Sequence, residues 1–124
     1  MRFGSERLIV GGVLALAIAT QLTQAFLNII NNALEAVPEG GEISLSAGPK
    51  EDDTIELVIR DSGRGIAPED LKKIFAYYYT TKEKGLGLGM AITHRIIEDH
   101  KGTIDVQSQV GFGTTFTIHL PVSL

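Results

Sequence analysis

Cysteine and tryptophan are missing from this chain of 124 residues, and proline occurs only four times. Without cysteine there can be no disulfide framework, thiol nucleophile or cysteine-ligated zinc, and nothing asks for an oxidising compartment. Excess charge of one sign is scarce as well. Eleven Lys and Arg face 15 Asp and Glu, a formal net charge of −4, which argues against nucleic-acid binding because that needs clustered cations to displace counterions. The one apolar run that could serve as a membrane or signal segment, Leu8 to Ala19, has 12 residues against the ~20 that cross a bilayer. No small-residue cleavage site clearly follows it, so it reads as a buried strand leading into a helix. What the chain has in surplus is glycine: 14 of 124 residues, about 11% against an average near 7%. Either the loops are unusually tight or some backbone lies close against a ligand.

The length fits one domain spanning residues 1–124, and no repeat or linker divides it. Gln21 to Val37 reads as an amphipathic helix: at about 100° per residue, Leu22, Ala25, Phe26, Ile29, Ala33 and Val37 share one side. Gln21, Gln24, Asn28, Asn31, Asn32 and Glu35 share the other. Pro38, Gly40 and Gly41 stop the helix, and two strands follow, Glu42 to Ala47 and Thr54 to Arg60. A short helix begins near Pro68, with Glu69 and Asp70 in its first turn, where the helix dipole favours acids. Ala76 to Gly89 holds no period and reads as a loop; a helix resumes near Leu88 or Met90 and runs to about His100. Two alternating segments, Thr103 to Gln107 and Thr114 to Leu120, close the chain around a turn at Gly111 and Gly113. The order suggests a two-layer α/β sandwich, with one mixed sheet and about three helices on one face.

Three motifs carry chemistry. Asn28 and Asn32, four apart and about 40° apart around the helix, offer two neutral amide oxygens of the hard type that Mg²⁺ takes beside phosphate oxygens and water; a solvated polar face is the ordinary alternative. DSGRGI, Asp61 to Ile66, ends a strand. It is either a common Asp-Ser-Gly turn or a site where Gly63 and Gly65 let the backbone close on a flat ligand. In the second case the acceptor-only Asp61 carboxylate suits the exocyclic amine of adenine and would repel the carbonyl of guanine. TTKEKGLGLGM, Thr80 to Met90, alternates Gly85, Gly87 and Gly89 just before a helix, so backbone N–H groups could converge on an anion, with Lys82 and Lys84 adding charge. The alternative there is a flexible linker, and the pattern is neither a P-loop nor a dinucleotide fingerprint.

Taken in order, FLNIINNALEA, DSGRGI, IFAYYYTTK, GLGLGMAI and GFGTTFTIHLP resemble the catalytic ATP-binding (HATPase) domain of sensor histidine kinases. These belong to the GHKL superfamily with gyrase and MutL, and the likeness covers about Leu22 to Pro121. NNALEA and the short TTKEKG segment look most like the nitrogen-regulatory and sporulation-kinase branch. The resemblance implies a Bergerat-type ATP-binding fold with ATP and Mg²⁺ as cofactors. It implies that Asn32 ligates Mg²⁺, that Asn28 supports the metal and phosphates, and that Lys82 acts with them. It further implies that Asp61 binds the adenine amine, with Gly63, Gly65 and Ile66 beside the base, Phe75 in the F box and Thr114 near the adenine-side water network. Lys82 and the backbone of Gly85, Leu86, Gly87, Leu88 and Gly89 would form the ATP lid, and Thr81 and Lys84 would also bind the nucleotide. In gyrase-like and MutL-like ATPases and the anti-sigma serine kinases, a glutamate general base stands where this chain has Asn28. An amide cannot take a proton in that way, and a neutral imidazole needs no such base, so Asn28 favours transfer to histidine and weak hydrolysis.

The resemblance also has gaps. Residues before Leu22 lack the family's acidic, proline-containing turn, Tyr78 replaces an F-box phenylalanine, and Ala76 and Tyr77 replace the common Glu-Pro. Tyr77 to Tyr79 form either lid packing, which we favour, or a partner-docking patch. His94, His100 and His119 lack the acidic and proline neighbours of the family's phosphoacceptor and read as structural or surface groups. The acceptor is therefore expected in a helical dimerisation domain, in the same native chain or another protein, with a response regulator downstream. A cytoplasmic setting, which includes the cytoplasmic part of a membrane-bound sensor, and a monomeric isolated domain complete the expectations. A stand-alone ATP-binding switch or ATPase with a protein partner is the alternative function.

Overall fold

The structure, a computed structural model, describes residues 5–76 and 89–122. Its elements are α1 (Ser5–Ala36), β1 (Ile43–Lys50), β2 (Thr54–Asp61), α2 (Pro68–Leu71), α3 (Gly89–Asp99), β3 (Thr103–Gln109) and β4 (Gly113–Pro121). The strand expected between Leu8 and Ala19 is not formed: that stretch is the first half of a helix of 32 residues. The run contains three alanines and five leucines or isoleucines, mostly good helix formers, and no proline interrupts it before Pro38. A short apolar run cannot by itself distinguish strand from helix. Within this part Val13, Leu16 and Ile18 are exposed. Among the described residues no helix is long and apolar enough to cross a membrane.

The second half of α1 follows its periodicity. Ala25, Ile29 and Ala33, one turn apart, are buried, and α1 packs on α3 and β2. The four strands form one sheet in the order β1-β2-β4-β3. Every pairing among them is antiparallel, where a mixed sheet was expected. The chain's first described segment is helical, so it supplies no parallel strand. Both edges of the sheet are hairpins, and β2 and β4 are joined at its centre.

Alternation decides what each face of the sheet carries. Thr114, Phe116, Ile118 and Leu120 of β4 and Ile59 and Asp61 of β2 are buried on the face that carries the helices. Ile29, Ile97 and Ile118 are fully enclosed there. On the other face, His119 Nε2 lies 2.8 Å from Glu56 Oε2 and Lys50 Nζ lies 3.6 Å from Glu56 Oε1. The hydrogen bond from His119, aided by the charge of Lys50, holds the Glu56 carboxyl below its ordinary value of 4.5.

Two outcomes follow from this packing. Ile118→Ala removes a fully buried side chain at the sheet centre and should cost about 2–5 kcal/mol of stability, read as a lower denaturation midpoint at unchanged slope. A carboxyl whose pKa is lowered by folding adds stability above its unfolded value and loses it as pH falls through the folded value. Urea titrations between neutral pH and about pH 3 should therefore show a shallower acid loss in Glu56→Gln than in the parent.

Candidate functional site

One end of the sheet meets the C-terminal end of α1. Asp61, the last residue of β2, lies opposite Ile43 of β1 and Thr114 of β4, and both Asp61 and Thr114 are buried. The Asp61 Oδ1 accepts a hydrogen bond from the Gly63 N–H at 2.8 Å, which turns the chain directly after the strand. Ser62 exchanges bonds with Glu42: its N–H donates to the Glu42 carbonyl at 3.0 Å, and its Oγ accepts from the Glu42 N–H at 2.8 Å. The Arg64 N–H then reaches the Ala36 carbonyl at the end of α1, at 3.2 Å.

The β3–β4 hairpin clasps the same loop from the other side. Gly111 N–H donates to the Arg64 carbonyl at 2.9 Å, and Ile66 N–H donates to Ser108 Oγ at 2.7 Å. Ser108 Oγ also lies 3.0 Å from the Gly113 carbonyl and 2.7 Å from Thr114 Oγ1. One serine hydroxyl thus joins the DSGRGI loop to the strand that carries Thr114.

The two glycines of that loop have a different immediate reason from the one their sequence suggested. A Cβ on Gly63 would come within 2.7 Å of the Ala36 carbonyl. Gly65 has φ +77°, and its Cβ would collide with the Gln109 carbonyl. Their missing side chains let the loop close on the protein itself, on α1 and on β3. Any ligand meets a loop that has already been fixed.

At the other side of α1, Asn28 faces the start of α3. Its Nδ2 donates to the Gly89 carbonyl at 3.2 Å and to Thr93 Oγ1 at 3.2 Å, and Thr93 Oγ1 donates in turn to the Gly89 carbonyl at 2.8 Å. Asn32 lies one turn further along α1 and is half-buried. Phe75 is partly buried against the core, its ring stacked on His94 with centroids 4.8 Å apart. Thr81, Lys82, Lys84, Gly85, Leu86, Gly87, Leu88 and the Tyr77–Tyr79 cluster lie outside the described residues.

All three histidines are engaged. His94 Nδ1 pairs with Glu98 at 2.7 Å, His100 Nδ1 lies 2.7 Å from the Ile96 carbonyl, and His119 holds Glu56. That agrees with structural roles for each. Sequence reasoning missed Ser108 and Thr93, although each left a trace. Ser108 is a polar residue at the inward position after Ile104 and Val106, and Thr93 lies on the apolar face of α3 with Ile96 and Ile97.

A buried carboxylate at a strand end, a glycine loop locked beside it and a helix bearing two asparagines one turn apart belong to one two-layer α/β sandwich. Residues 17–124 match the family described as histidine kinase-, DNA gyrase B-, and HSP90-like ATPase, and the chain belongs to that family. It is similar to the sensor histidine kinase ZraS of Escherichia coli, with 46% identity over 104 residues, covering 84% of this chain and 22% of that protein. It is also similar to sporulation kinase E of Bacillus subtilis, with 43% identity over 102 residues, covering 82% of this chain and 14% of that protein. The chain therefore spans less than a quarter of the length of these relatives. Among solved structures, a mycobacterial sensor histidine kinase, MprB, superposes with a TM-score of 0.75 at 31% identity, covering 82% of this chain and 70% of that one. The catalytic domain of histidine kinase ThkA superposes with a TM-score of 0.73 at 34% identity, covering 82% and 66%.

Ser108→Ala would leave the Ile66 N–H without its acceptor and untie Thr114. We expect a stability loss of about 1–3 kcal/mol, the usual penalty of a buried orphaned donor, measured by thermal or urea unfolding, together with weaker ATP binding by calorimetry.

Proposed function

We propose that this chain is the ATP-binding catalytic domain of a two-component sensor histidine kinase, and that it transfers the γ-phosphoryl group of ATP to a histidine on a helical dimerisation and phosphoacceptor domain. The observation that carries this reading is the amide at position 28: the α1 side chain that faces Gly89 is Asn28, which cannot serve as a general base for water or a hydroxyl. A neutral histidine imidazole is already nucleophilic and needs no such base. In the transfer, an imidazole nitrogen of the acceptor forms a bond to the γ-phosphorus, the bond to the bridging oxygen of ADP breaks, and the imidazole proton passes to solvent.

Asp61 holds the adenine amine as an acceptor, with Thr114 beside it. The amide oxygens of Asn28 and Asn32 are hard, neutral donors and suit Mg²⁺. Bound Mg²⁺ would supply neutralisation of phosphate charge. Mg²⁺ is usually held by few protein groups together with water and substrate phosphates. The family resemblance assigns the ATP lid to Lys82 and the Gly85 to Gly89 backbone, with Lys84 as a further phosphate-binding cation. Catalysis then rests on in-line positioning. A response regulator receives the phosphoryl group downstream, and the domain works in the cytoplasm.

Asp61→Asn replaces a charge-assisted hydrogen bond and presents an amine to an amine in one rotamer. ATP affinity should fall by about 1.5–3 kcal/mol by calorimetry, and unchanged affinity would overturn the adenine assignment. The function itself is tested by mixing the chain with candidate helical acceptor domains and labelled ATP. Acid-labile, base-stable phosphate on the acceptor is expected. Tight ATP binding with no transfer to any acceptor would instead favour a nucleotide-operated switch.

A further inference from the structure

We infer that Thr93 is a positioning residue for the phosphate and metal end of the site, acting by fixing which atom of the Asn28 amide is presented there. This rests on the proposed role of Asn28. Thr93 is fully buried on the face of α3 that packs against α1, and its hydroxyl hydrogen is committed to the Gly89 carbonyl at 2.8 Å. Toward Asn28 it therefore offers only a lone pair. The Gly89 carbonyl, 3.2 Å from the same Asn28 nitrogen, is also an acceptor. Two acceptors side by side demand the NH₂ of the amide and exclude its oxygen.

An asparagine amide can otherwise turn over at little steric cost, because its two ends have nearly the same shape. Here a flip would set Oδ1 against the Thr93 lone pair and the Gly89 carbonyl at once. The network thus leaves the hard oxygen donor on the side away from α3. It also ties the last glycine of the GLGLG motif to α1 through the same nitrogen, so the start of α3 and the amide are set together. Outer hydrogen bonds of this kind orient the groups that touch a metal.

Thr93→Val keeps the volume and deletes the hydroxyl, and Thr93→Ser keeps the hydroxyl. ATP binding should be titrated against Mg²⁺ for the whole chain, alongside ADP binding in chelator. In Thr93→Val the Mg²⁺ concentration for half-maximal ATP binding should rise about tenfold, with chelator-phase ADP binding unchanged, and Thr93→Ser should restore the parent value. In an Asn28→Ala background, Thr93→Val should add nothing. Should Thr93→Val fail to fold, Thr93→Ala serves the same comparison. If Asn28→Ala shifts the Mg²⁺ requirement while Thr93→Val does not, the positioning role is overturned and the site reading stands. If Thr93→Val weakens ADP binding equally in chelator, the role is structural only, which also overturns it. If Asn28→Ala itself leaves the Mg²⁺ requirement unchanged, the site reading fails instead.

Discussion

The register of β2 against β4 is the constraint on which the molecule depends. In that register Ile59 lies opposite Phe116, Leu57 opposite Ile118 and Asp61 opposite Thr114, so the apolar core and the polar site are successive rungs on one face. A slip of β2 by one residue would turn Leu57, Ile59 and Asp61 to the opposite face. It would bring Glu56 and Arg60 inward, where their charges would lack water. The core and the site are therefore specified by one choice, and the burial of Ile59 and Phe116 holds Asp61 where it stands. The polar bonds of the outer face, His119 to Glu56 and Arg60 Nε to Thr115 Oγ1 at 3.4 Å, are cross-strand contacts compatible with that same register.

From Asp61 the order spreads outward through the backbone. The carboxylate holds the Gly63 N–H, the loop then meets the end of α1 at Ala36, and the β3–β4 hairpin closes on it at Arg64 and Ile66. Each contact requires the preceding residue to be in place, because the two glycines leave no gap for a side chain between loop and neighbours. A site built in this way is organised before any ligand arrives, so little binding energy is diverted to ordering it. Gly63 and Gly65 thus allow the protein to pack against itself around the Asp61 carboxylate.

Much of this was legible in the sequence, for reasons that can be named. The helix from Gln21 and strands β2 and β4 are amphipathic with a clear period, and burial follows that period at Ala25, Ile29, Ala33 and Phe116. Asp61 was singled out in the DSGRGI motif at a strand end and Thr114 only through the family resemblance, and the antiparallel pairing places the two opposite each other. The N-terminal segment was misread because an apolar run without alternation carries no period to decide between helix and strand. A chain without proline before Pro38 lets one helix continue through it. The hydroxyls of Ser108 and Thr93 escaped notice for another reason: each acts across long sequence separations, 42 residues to Ile66 and 65 to Asn28. No local pattern encodes such a partner.

Those two hydroxyls divide the labour of the site. Ser108 ties the loop after Asp61 to the hairpin, at the end assigned to the base, whereas Thr93 ties α1 to α3, at the end assigned to the phosphates. Ser108 lies on β3 and Thr93 on α3. A defect at the base end should therefore weaken nucleotide binding whatever the metal concentration, and a defect at the phosphate end should depend on it. Metal-dependent and metal-independent losses of affinity thus separate the two ends of one site by chemistry, because only the α1–α3 junction sets the orientation of an oxygen donor.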